Sequence, residues 1–460
     1  MKKNTENCLE AISKGGCMTK DKLLNKKICV ISLGCDKNTV DSERILFNLK
    51  EFGFVLTSTL QDAEIIIVNT CAFIEPARLE SVRVIEDVLK LKKGNAKKVI
   101  VTGCLPAKAN FDIHKTLPGV DLCLGTHSYD EIVEAICKMY KYVPTPRDFA
   151  KTTPCARIVS TPKHYAYLKI ADGCDNKCSY CTIPQIRGKY TSTPMPALIE
   201  EAKELAKQGV KELILVAQDV TRYGEDLYKK HCIVQLVQEL SKIKGIEWIR
   251  LHYCYPEFFG DDLINEMANN PKICKYVDVP IQHVNDDILH NMNRASNYNK
   301  VTSLIKKLRQ FMPDVAIRTS IIVGFPGETV KAFDELKGFL EEYKLDNIGF
   351  FAYSRENDTK AFDMNNQVPE GTKQARLKKL VKLQADIQFS KCQQLIGKTL
   401  KCICDDQIEN YYILRSEYNS PEIDSFVYIP KKSFTCNLGK FYDVKINGVV
   451  EPFDLEGEII

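Results

Sequence analysis

Three uninterrupted apolar runs stand out in the first third of the chain, with helical periodicity between them. They read KICVISLGC, AEIIIVNTC and KKVIVTGC, and all lie within residues 27–140. Continuous Val and Ile runs of this length are typical of parallel strands that are buried on both faces. The pattern therefore predicts an N-terminal α/β domain built on an open parallel sheet.

The alternation resumes over residues 165–392, where six apolar segments predict six strands: YAYLKI, ELILVAQ, WIRLHY, YVDVPI, IRTSIIVGF and NIGFFAY. Amphipathic segments such as PALIEEAKELAKQG lie between them and predict helices. Strands that alternate with helices form right-handed crossovers and a parallel sheet. Because a closed barrel of this kind has eight strands, six predict a partial, TIM-like (β/α)6 barrel.

Three further segments complete the predicted organisation. A long charged helix leads into residues 393–460, where short strands broken by Gly, Asn and Pro predict a small all-β barrel of five strands. The proline-containing residues 141–164 predict a linker. Residues 1–26 lack a hydrophobic pattern, and we expect a disordered extension there.

The amino-acid composition indicates the class of protein and the cellular compartment in which we expect it. A content of 44% apolar and 27% charged residues is ordinary for a globular protein. No run of about 18 apolar residues predicts a membrane span, and the N-terminus lacks the apolar core of a secretory signal. We therefore expect a cytoplasmic protein with no membrane association, in which the 19 cysteines are reduced. The net charge of +4 is too small to indicate nucleic-acid binding by itself.

Three cysteines are concentrated in the loop DGCDNKCSYC, which follows the first strand of the predicted barrel. Cys174, Cys178 and Cys181 have the spacing C-x3-C-x2-C. Structural zinc sites need four ligands, usually supplied as two separated pairs. Three thiolates on one short loop better fit a 4Fe–4S cluster whose fourth iron is open to another ligand. The alternative is three buried core cysteines, which their crowding into eight positions disfavours.

The N-terminal domain carries a second set of three cysteines. Cys35, Cys71 and Cys104 each end one of the three apolar runs. Parallel strands finish at the same edge of a sheet, where open α/β sheets bind their ligands. Gly34 and Gly103 precede two of the thiols and allow close approach of the backbone. These cysteines are predicted to hold a second cluster, with ordinary buried cysteines as the alternative.

The cysteine loop, with aromatic Tyr180 before its last thiol, resembles the signature of the radical SAM enzymes. Together with the N-terminal cysteines and a TRAM-like barrel, it resembles the methylthiotransferases over nearly all of residues 27–460. The segments SLGCDKNTVDSE, VAQDVTRYG and RSEYNSPEIDSFVYI are similar to the branch that modifies an aspartate of a small-subunit ribosomal protein, the twelfth. Asp36 and Thr193 depart from that branch, which usually has proline and arginine there.

The resemblance implies two 4Fe–4S clusters and S-adenosylmethionine (SAM) as cofactors. The catalytic, SAM-coordinating cluster would be held by Cys174, Cys178 and Cys181. The auxiliary cluster, which would carry the sulfur, would be held by Cys35, Cys71 and Cys104. SAM would serve as methyl donor and as the source of a 5′-deoxyadenosyl radical, so that a methylthio group is added to the aspartate β-carbon. A sulfur source and an external electron donor, such as flavodoxin or ferredoxin, are also implied.

The rest of the SAM pocket is expected at the later strand ends, where polar side chains suit contacts to ribose, carboxylate and amine. The predicted SAM contacts are Tyr180, Gln218, Asp219, Gln282, Arg318, Gly324 and Glu328. The segment GFPGE also has an ordinary explanation as a strand-to-helix turn. His283, a single histidine, fits a structural role better than a catalytic one.

The net charge of the predicted C-terminal barrel indicates which kind of substrate the protein binds. Residues 398–460 contain seven basic and eleven acidic side chains, a net charge of −4 in a chain of net charge +4. RNA binding needs a cationic surface, so this barrel disfavours RNA and suits a basic ribosomal protein. A solvated surface without a partner is the alternative. The rival functions are methylthiolation of adenosine in transfer RNA and a non-catalytic iron–sulfur or zinc protein that binds RNA. We expect a monomer.

Overall fold

The computed structural model describes residues 18–145, 156–450 and 452–460, which form two compact units. The N-terminal unit contains the described residues up to Ser160 and the short segment Gln185–Gly188. The C-terminal unit contains Thr161–Pro184 and Lys189–Ile460. The predicted (β/α)6 core and the predicted small barrel thus share one unit, and residues 185–188, which we assigned to the core, belong to the other.

A five-stranded parallel sheet forms the centre of the N-terminal unit. Its strands are β1 (Lys27–Ser32), β2 (Val55–Leu56), β3 (Ile65–Thr70), β4 (Lys98–Gly103) and β5 (Leu122–Cys123). They lie in the order β2–β1–β3–β4–β5, and every neighbouring pair is parallel. The three apolar runs are therefore the three central strands, as predicted, whereas the sequence did not predict the two short edge strands.

Helices cover both faces of this sheet. They are α1 (Lys20–Leu24), α2 (Asp36–Phe52), α3 (Glu75–Lys90), α4 (Ile113–Thr116) and α5 (Ile132–Met139). Successive residues of β3 pack into different hydrophobic clusters, Ile66 and Val68 into one and Ile65 and Ile67 into the other. Side chains alternate between the two faces of a strand, so burial of both faces requires the continuous apolar run.

Helix α1 corrects one prediction. The disordered extension was predicted over residues 1–26, but α1 lies inside that range, and its Leu23 is fully buried against the same cluster as Ile28 and Leu49. Burial of a leucine side chain stabilises this short helix, and so residues 20–24 are ordered. Residues 1–17 and, within the predicted linker, residues 146–155 lie outside the described residues.

The core of the C-terminal unit is an open sheet of six parallel strands. They are β6 (Tyr165–Lys169), β9 (Glu212–Val216), β10 (Trp248–Leu251), β11 (Ile273–Asp278), β12 (Ala316–Val323) and β13 (Asn347–Ala352). The sheet order follows the chain from β6 to β13, and these two edge strands do not pair with each other. All six predicted strands and the partial (β/α)6 barrel are therefore confirmed.

Helices connect these strands. They are α6 (Ile183–Arg187), α7 (Met195–Lys207), α8 (Glu225–Tyr228), α9 (Ile233–Ser241), α10 (Asp261–Asn269), α11 (Asp286–Asn291), α12 (Tyr298–Phe311), α13 (Val330–Tyr343) and α14 (Glu370–Gln393). A small antiparallel hairpin, β7 (Ala171–Asp172) with β8 (Thr191–Ser192), was not predicted. Within the described ranges, no helix is long and apolar enough to cross a membrane.

A closed five-stranded barrel ends the chain, as predicted. Its strands are β14 (Thr399–Gln407), β15 (Tyr411–Ser416), β16 (Val427–Pro430), β17 (Phe441–Val450) and β18 (Asp454–Ile459), in the order β14–β15–β16–β18–β17. Ile403 of the barrel shares a buried cluster with Trp248 and Tyr276 of the core sheet. This shared apolar core explains why the barrel and the (β/α)6 sheet form one compact unit.

Candidate functional site

The three strand-end cysteines of the N-terminal unit follow neighbouring strands. Cys35, Cys71 and Cys104 come after β1, β3 and β4, which are adjacent in the sheet. Gly34 and Gly103 have φ values of +89° and +91°, a left-handed conformation that glycine adopts without strain. The chain therefore turns sharply at the sheet edge and keeps the thiols there.

Two asparagines brace this edge. The side-chain amide of Asn38 donates to the carbonyl of Leu33 at 2.7 Å and to that of Thr70 at 3.0 Å, which ties the ends of β1 and β3 together. Asn69 donates in turn to the Asn38 carbonyl at 3.0 Å. The Cys104 amide donates to the Thr70 carbonyl at 2.9 Å, so β4 ends beside the other two strands. These bonds hold the three cysteine-bearing turns in one arrangement.

The three thiols of this edge influence one another electrostatically. The pKa of Cys104 is raised to about 12, chiefly by burial and also by the neighbouring Cys35 and Cys71, while Arg187 acts to lower it. Burial likewise raises the pKa of Cys71, with Cys35 adding to the effect. Protonated thiols are therefore favoured in the metal-free protein, and a bound metal centre would have to displace these protons.

Arg187 supplies a buried cation to this site. Its guanidinium donates to the Asp41 carboxylate at 3.3 Å and also to the side-chain oxygen of Asn38. The preceding Ile186 is buried in the hydrophobic core of the N-terminal unit. Positive charge stabilises thiolates, so Arg187 favours the form of Cys71 and Cys104 that ligates metal.

Asp36, which stands where the related branch usually has proline, adds a carboxylate next to Cys35. The charge of this carboxylate is compensated by its neighbour. The Asp36 carboxylate accepts from the backbone amide of Lys37 at 2.9 Å and pairs with its ammonium group at 3.0 Å. Both side chains are about 8% exposed. Its negative charge is therefore neutralised locally, so we expect little effect on the neighbouring thiol.

Gly34→Ala is expected to disrupt this site. An added Cβ would lie 2.6 Å from the Cys71 Cβ and 3.0 Å from its sulfur, on a backbone with positive φ. Strain and overlap together should cost roughly 3 kcal/mol of the free energy of unfolding. After anaerobic reconstitution, bound iron should fall from about eight to about four per chain, measured with acid-labile sulfide.

Gly209→Ala is the matched control, because its φ is +104° but no atom lies within 4 Å of the added Cβ. It should cost about 1 kcal/mol through backbone strain and leave the iron content unchanged. Full iron content in Gly34→Ala would contradict the assignment of this edge as a cluster site.

The second set of cysteines occupies the loop after β7 in the C-terminal unit. Cys174 and Cys178 are buried, and Cys181 is partly exposed. The pKa of Cys174 is raised to about 11, chiefly by burial and also by the proximity of Cys178. Burial followed by the proximity of Cys178 also raises the pKa of Cys181. The loop thus brings three mutually interacting thiols together.

Hydrogen bonds fix the shape of this loop. Ser179 donates its hydroxyl to the Asn291 carbonyl at 2.7 Å and its amide to the Met292 carbonyl at 3.0 Å. The amide of Ile183 donates to the Cys181 sulfur at 3.4 Å. The loop is therefore anchored to the segment after α11, and one sulfur already accepts a backbone hydrogen bond.

Both sets of thiols fit iron–sulfur clusters better than single metal ions. Within the described part of the chain, no three His, Cys, Asp or Glu side chains converge closely enough to bind one metal ion. A 4Fe–4S cluster binds each thiolate to a different iron and so spreads its ligands farther apart. Both sites also have donors or cations that stabilise anionic sulfur. The soft all-sulfur donor sets are those that iron–sulfur clusters use.

Two predicted SAM contacts lie beside the cysteine loop. Gln218 donates to Asp172 at 3.4 Å, and its side-chain oxygen is buried without a hydrogen-bond partner in the structure. Asp219 accepts from Asn176 at 3.3 Å, and burial raises its pKa to about 6. A buried acceptor without a donor is costly, so the Gln218 oxygen is suited to a ligand N–H or O–H.

Other predicted contacts shape the walls of the barrel. Tyr180 packs edge-on against Phe325, with the ring centroids 6.5 Å apart. Gln282 has a positive φ of 68°, and its amide donates to the Ser320 carbonyl at 2.8 Å. The backbone of Gln282 thus joins the end of β11 to β12.

The GFPGE segment forms a braced turn. Gly324 has φ +73°, and its amide donates to the Glu328 carboxylate at 2.7 Å. Glu328 also accepts from Arg376, and the His283 ring nitrogen lies 3.7 Å from it. The Glu328 carboxylate therefore stabilises the turn, and contact between this segment and SAM stays a prediction.

Arg318 has a partner that the sequence did not indicate. Its guanidinium donates to Asp424 of the C-terminal barrel at 2.6 Å, and Asp424 also accepts from the Tyr276 hydroxyl at 2.8 Å. Asp424 is almost completely buried. Arg318 therefore connects the core sheet to the barrel, and its role as a SAM contact stays a prediction.

Sequence reasoning missed two groups that contact the cysteines. Arg187 lies in the predicted core but contributes to the N-terminal site. The Tyr255 hydroxyl is 2.9 Å from the Cys178 sulfur, although 77 positions separate them in the chain. Neither residue belongs to a motif with metal-ligand spacing, so only the fold reveals them.

Family models match three parts of the chain. Residues 27–125 match the Uncharacterized protein family UPF0004, residues 168–340 the Radical SAM superfamily, and residues 396–460 the TRAM domain. These matches correspond to the N-terminal sheet, the (β/α)6 sheet and the closed barrel.

Among solved structures, the radical SAM methyltransferase TsrM of Kitasatospora setae has a TM-score of 0.55 at 14% identity, covering 73% of this chain and 77% of that one. The cobalamin-dependent SAM radical enzyme OxsB has a TM-score of 0.51 at 11% identity, covering 80% and 62%. Identity this low supports the fold alone.

Curated relatives are much more similar. The ribosomal protein uS12 methylthiotransferase RimO of Clostridium tetani is 44% identical over 437 residues, covering 94% of this chain and 98% of the relative. RimO of Flavobacterium johnsoniae is 43% identical over 440 residues, covering 95% and 98%. The chain therefore belongs to the ribosomal protein uS12 methylthiotransferase family, a group of radical SAM enzymes.

Proposed function

We propose that the protein adds a methylthio group to the β-carbon of an aspartate in small-subunit ribosomal protein uS12. The observation that carries this proposal is the presence of two separate three-cysteine sites in one chain. One site leaves room for a SAM-binding iron, and the other provides a second metal centre to hold sulfur. Similarity to relatives named for this reaction supports the choice of substrate.

The C-terminal unit would bind SAM and exclude water from it. Cys174, Cys178 and Cys181 would hold a 4Fe–4S cluster, which when bound supplies the electron for reductive cleavage of SAM. Gln218 and Asp219, placed beside this loop by Asp172 and Asn176, would accept hydrogen bonds from the polar groups of SAM. Burial of the loop limits quenching by solvent.

The N-terminal unit would hold the sulfur to be transferred. Cys35, Cys71 and Cys104 would ligate the auxiliary cluster at the carboxyl edge of the sheet. Arg187 would offset the negative charge that thiolates and sulfide accumulate there. Rigid bracing by Asn38 keeps the site in one geometry.

The remaining parts of the proposal concern partners and setting. The acidic C-terminal barrel suits a basic ribosomal protein substrate better than RNA. A ribosomal protein substrate supports our proposal that the enzyme acts in the cytoplasm. A flavodoxin or ferredoxin as reductant and a monomeric state stay predictions.

The test offers the reconstituted enzyme a choice of substrates. Protein loaded with iron and sulfide would be incubated anaerobically with SAM, dithionite and either uS12 or transfer RNA. Mass spectrometry should show a gain of about 46 Da on one uS12 aspartate, where a methylthio group replaces hydrogen. A uS12 variant with that aspartate changed to glutamate is the matched control and should stay unmodified.

The outcomes discriminate among the functions. A gain on transfer RNA and none on uS12 would identify the transfer-RNA reaction and refute our choice of substrate. No modification, with zinc bound and no sulfide, would instead indicate the non-catalytic metal protein.

A further inference from the structure

A tyrosine hydroxyl contacts one thiol of the SAM-cluster loop. The Tyr255 oxygen lies 2.9 Å from the Cys178 sulfur. Tyr255 follows β10 and stands directly before the short 3-10 turn Pro256–Phe258, so its backbone lies beyond the carboxyl end of another strand of the core sheet. When Cys178 is a thiolate it has no proton, and the hydroxyl must then be the donor.

A buried arginine holds this tyrosine in place. The Arg294 guanidinium lies 3.9 Å from the centroid of the Tyr255 ring, within the range of a cation–π contact. Arg294 is 6% exposed, pairs with Glu257 at 3.2 Å and donates to the Pro280 carbonyl at 2.9 Å. Glu257 also accepts from the amide of Ser296. The ring and the cation are thus fixed from several directions.

A buried cation and a cavity lie beside this tyrosine. In the structure, the Arg294 Nη1 atom is buried without a hydrogen-bond partner. A cavity of about 390 Å³ is lined by Cys178, Tyr255, Glu257 and Arg294, among others, and none of the predicted SAM contacts lines it. A buried cation is costly unless negative charge lies nearby, and Cys178 is close enough for an anionic sulfur there to stabilise Arg294 electrostatically.

We propose that Tyr255, held by Arg294, is a positioning residue that hydrogen-bonds the Cys178 thiolate and makes the SAM-coordinating cluster easier to reduce. The inference rests on the proposed function, because it takes Cys178 as a cluster ligand. One-electron reduction adds negative charge to the cluster and its sulfurs. A donated hydrogen bond and a nearby cation both stabilise this charge, so they raise the reduction potential.

The test isolates one cluster in the full-length chain. Cys35, Cys71 and Cys104 are replaced by alanine, so that about four irons per chain should bind at the remaining loop. In this background, Tyr255→Phe keeps the ring and its stacking but removes the hydroxyl. Tyr223→Phe is the matched control, because it removes a buried hydroxyl that donates to the Thr193 carbonyl at 2.8 Å.

Reductive titration followed by electron paramagnetic resonance gives the result without any turnover. Tyr255→Phe should bind the cluster and lower its equilibrium constant for reduction about tenfold, which corresponds to about 59 mV. An exchangeable deuteron coupled to the reduced cluster should disappear in this variant. Tyr223→Phe should keep the parent's potential, and Arg294→Lys should shift it in the same direction but less.

Each outcome decides the question. A bound cluster with the parent's potential and deuteron coupling in Tyr255→Phe overturns the inference and leaves the proposed function intact. The background chain, in which Cys35, Cys71 and Cys104 are alanine, keeps the loop cysteines. If it binds no cluster, the proposed function fails, and the inference fails with it. If Tyr255→Phe cannot be loaded, an unchanged potential in Arg294→Lys overturns the inference, and a lowered one supports it.

Discussion

Cys174→Ala is expected to abolish reductive SAM cleavage, with a loss of at least about 10³-fold. Cys174 is one of three interacting thiols on a loop that is anchored to the segment after α11. Two remaining ligands would leave a second iron without a protein thiolate, so the cluster should be lost or unable to hold SAM. Formation of 5′-deoxyadenosine from SAM and dithionite, followed by chromatography, measures this directly.

Cys35→Ala should have a different effect, because its site belongs to the N-terminal unit. SAM cleavage should continue near the parent's rate, but uS12 should gain no methylthio group. The sulfur-holding centre would be absent while the radical chemistry is intact. Bound iron should fall to about four per chain in either variant.

Two buried cysteines outside both sites serve as controls. Cys137 on α5 and Cys274 on β11 are fully or almost fully buried in hydrophobic clusters. Their alanine variants should keep about eight irons and both activities. SAM cleavage at the parent's rate by Cys174→Ala, or methylthio transfer by Cys35→Ala, would contradict the two-site assignment.

The sequence was sufficient to predict which strand ends carry the cysteines and lie next to one another, because those positions depend on backbone regularity. Cys35, Cys71 and Cys104 are far apart in the chain, but parallel strands finish at one edge, so strand ends predict neighbours. The same regularity predicted the six-stranded sheet and the closed barrel. Gly34 was also predictable, since a turn that brings the backbone near a thiol requires its conformation.

The regularity of strands does not predict the contacts that single polar side chains make. Tyr255 lies in a loop and Arg187 at the end of the short helix α6, and their positions depend on tertiary packing. Arg318 was predicted as a SAM contact, and the sequence does not show that Asp424 pairs with it. Their partners lie 77 to 146 positions away, and no local pattern records such pairings.

The net charge of the barrel illustrates a related difficulty. Its negative charge was counted as surface charge, yet Asp405, Asp424 and Arg415 are buried and paired. These three residues stabilise the fold and cannot contact a partner. The remaining charged side chains of the barrel still have a net negative charge. However, fewer of them are available to repel RNA than the sequence implied.

Arg415→Ala is expected to destabilise the C-terminal unit by roughly 3–5 kcal/mol. The Arg415 guanidinium is completely buried and donates to Glu212 at 2.6 Å and to Asp405 at 2.8 Å. Glu212 also accepts from Arg250 at 2.7 Å, so four charged groups form one buried network between the barrel and β9 and β10. Removal of one cation leaves carboxylates that are only partly compensated. Denaturant unfolding followed by circular dichroism measures the loss.

The same network predicts how stability depends on pH. Burial alone would raise the pKa of Glu212, but Arg415 and Arg250 hold it below its ordinary value of 4.5. A carboxyl group with a lowered folded-state pKa stabilises the protein above the unfolded value and loses that contribution as the pH falls through the folded value. The parent should therefore lose stability below about pH 4.5, and Arg415→Ala should lose less over that range, because its Glu212 has one partner fewer.

Lys445→Ala is the control for Arg415→Ala, because it removes a positive charge from the barrel without disturbing the buried network. Lys445 lies 3.9 Å from Glu458, with both side chains about half exposed. Such pairs contribute less than about 1 kcal/mol, and their removal should leave the acid transition unchanged. If Arg415→Ala cost no more than Lys445→Ala, the buried network would not hold the barrel to the core. A large cost with a single unfolding transition would mean that the two parts fold together, because neither can satisfy these buried charges alone.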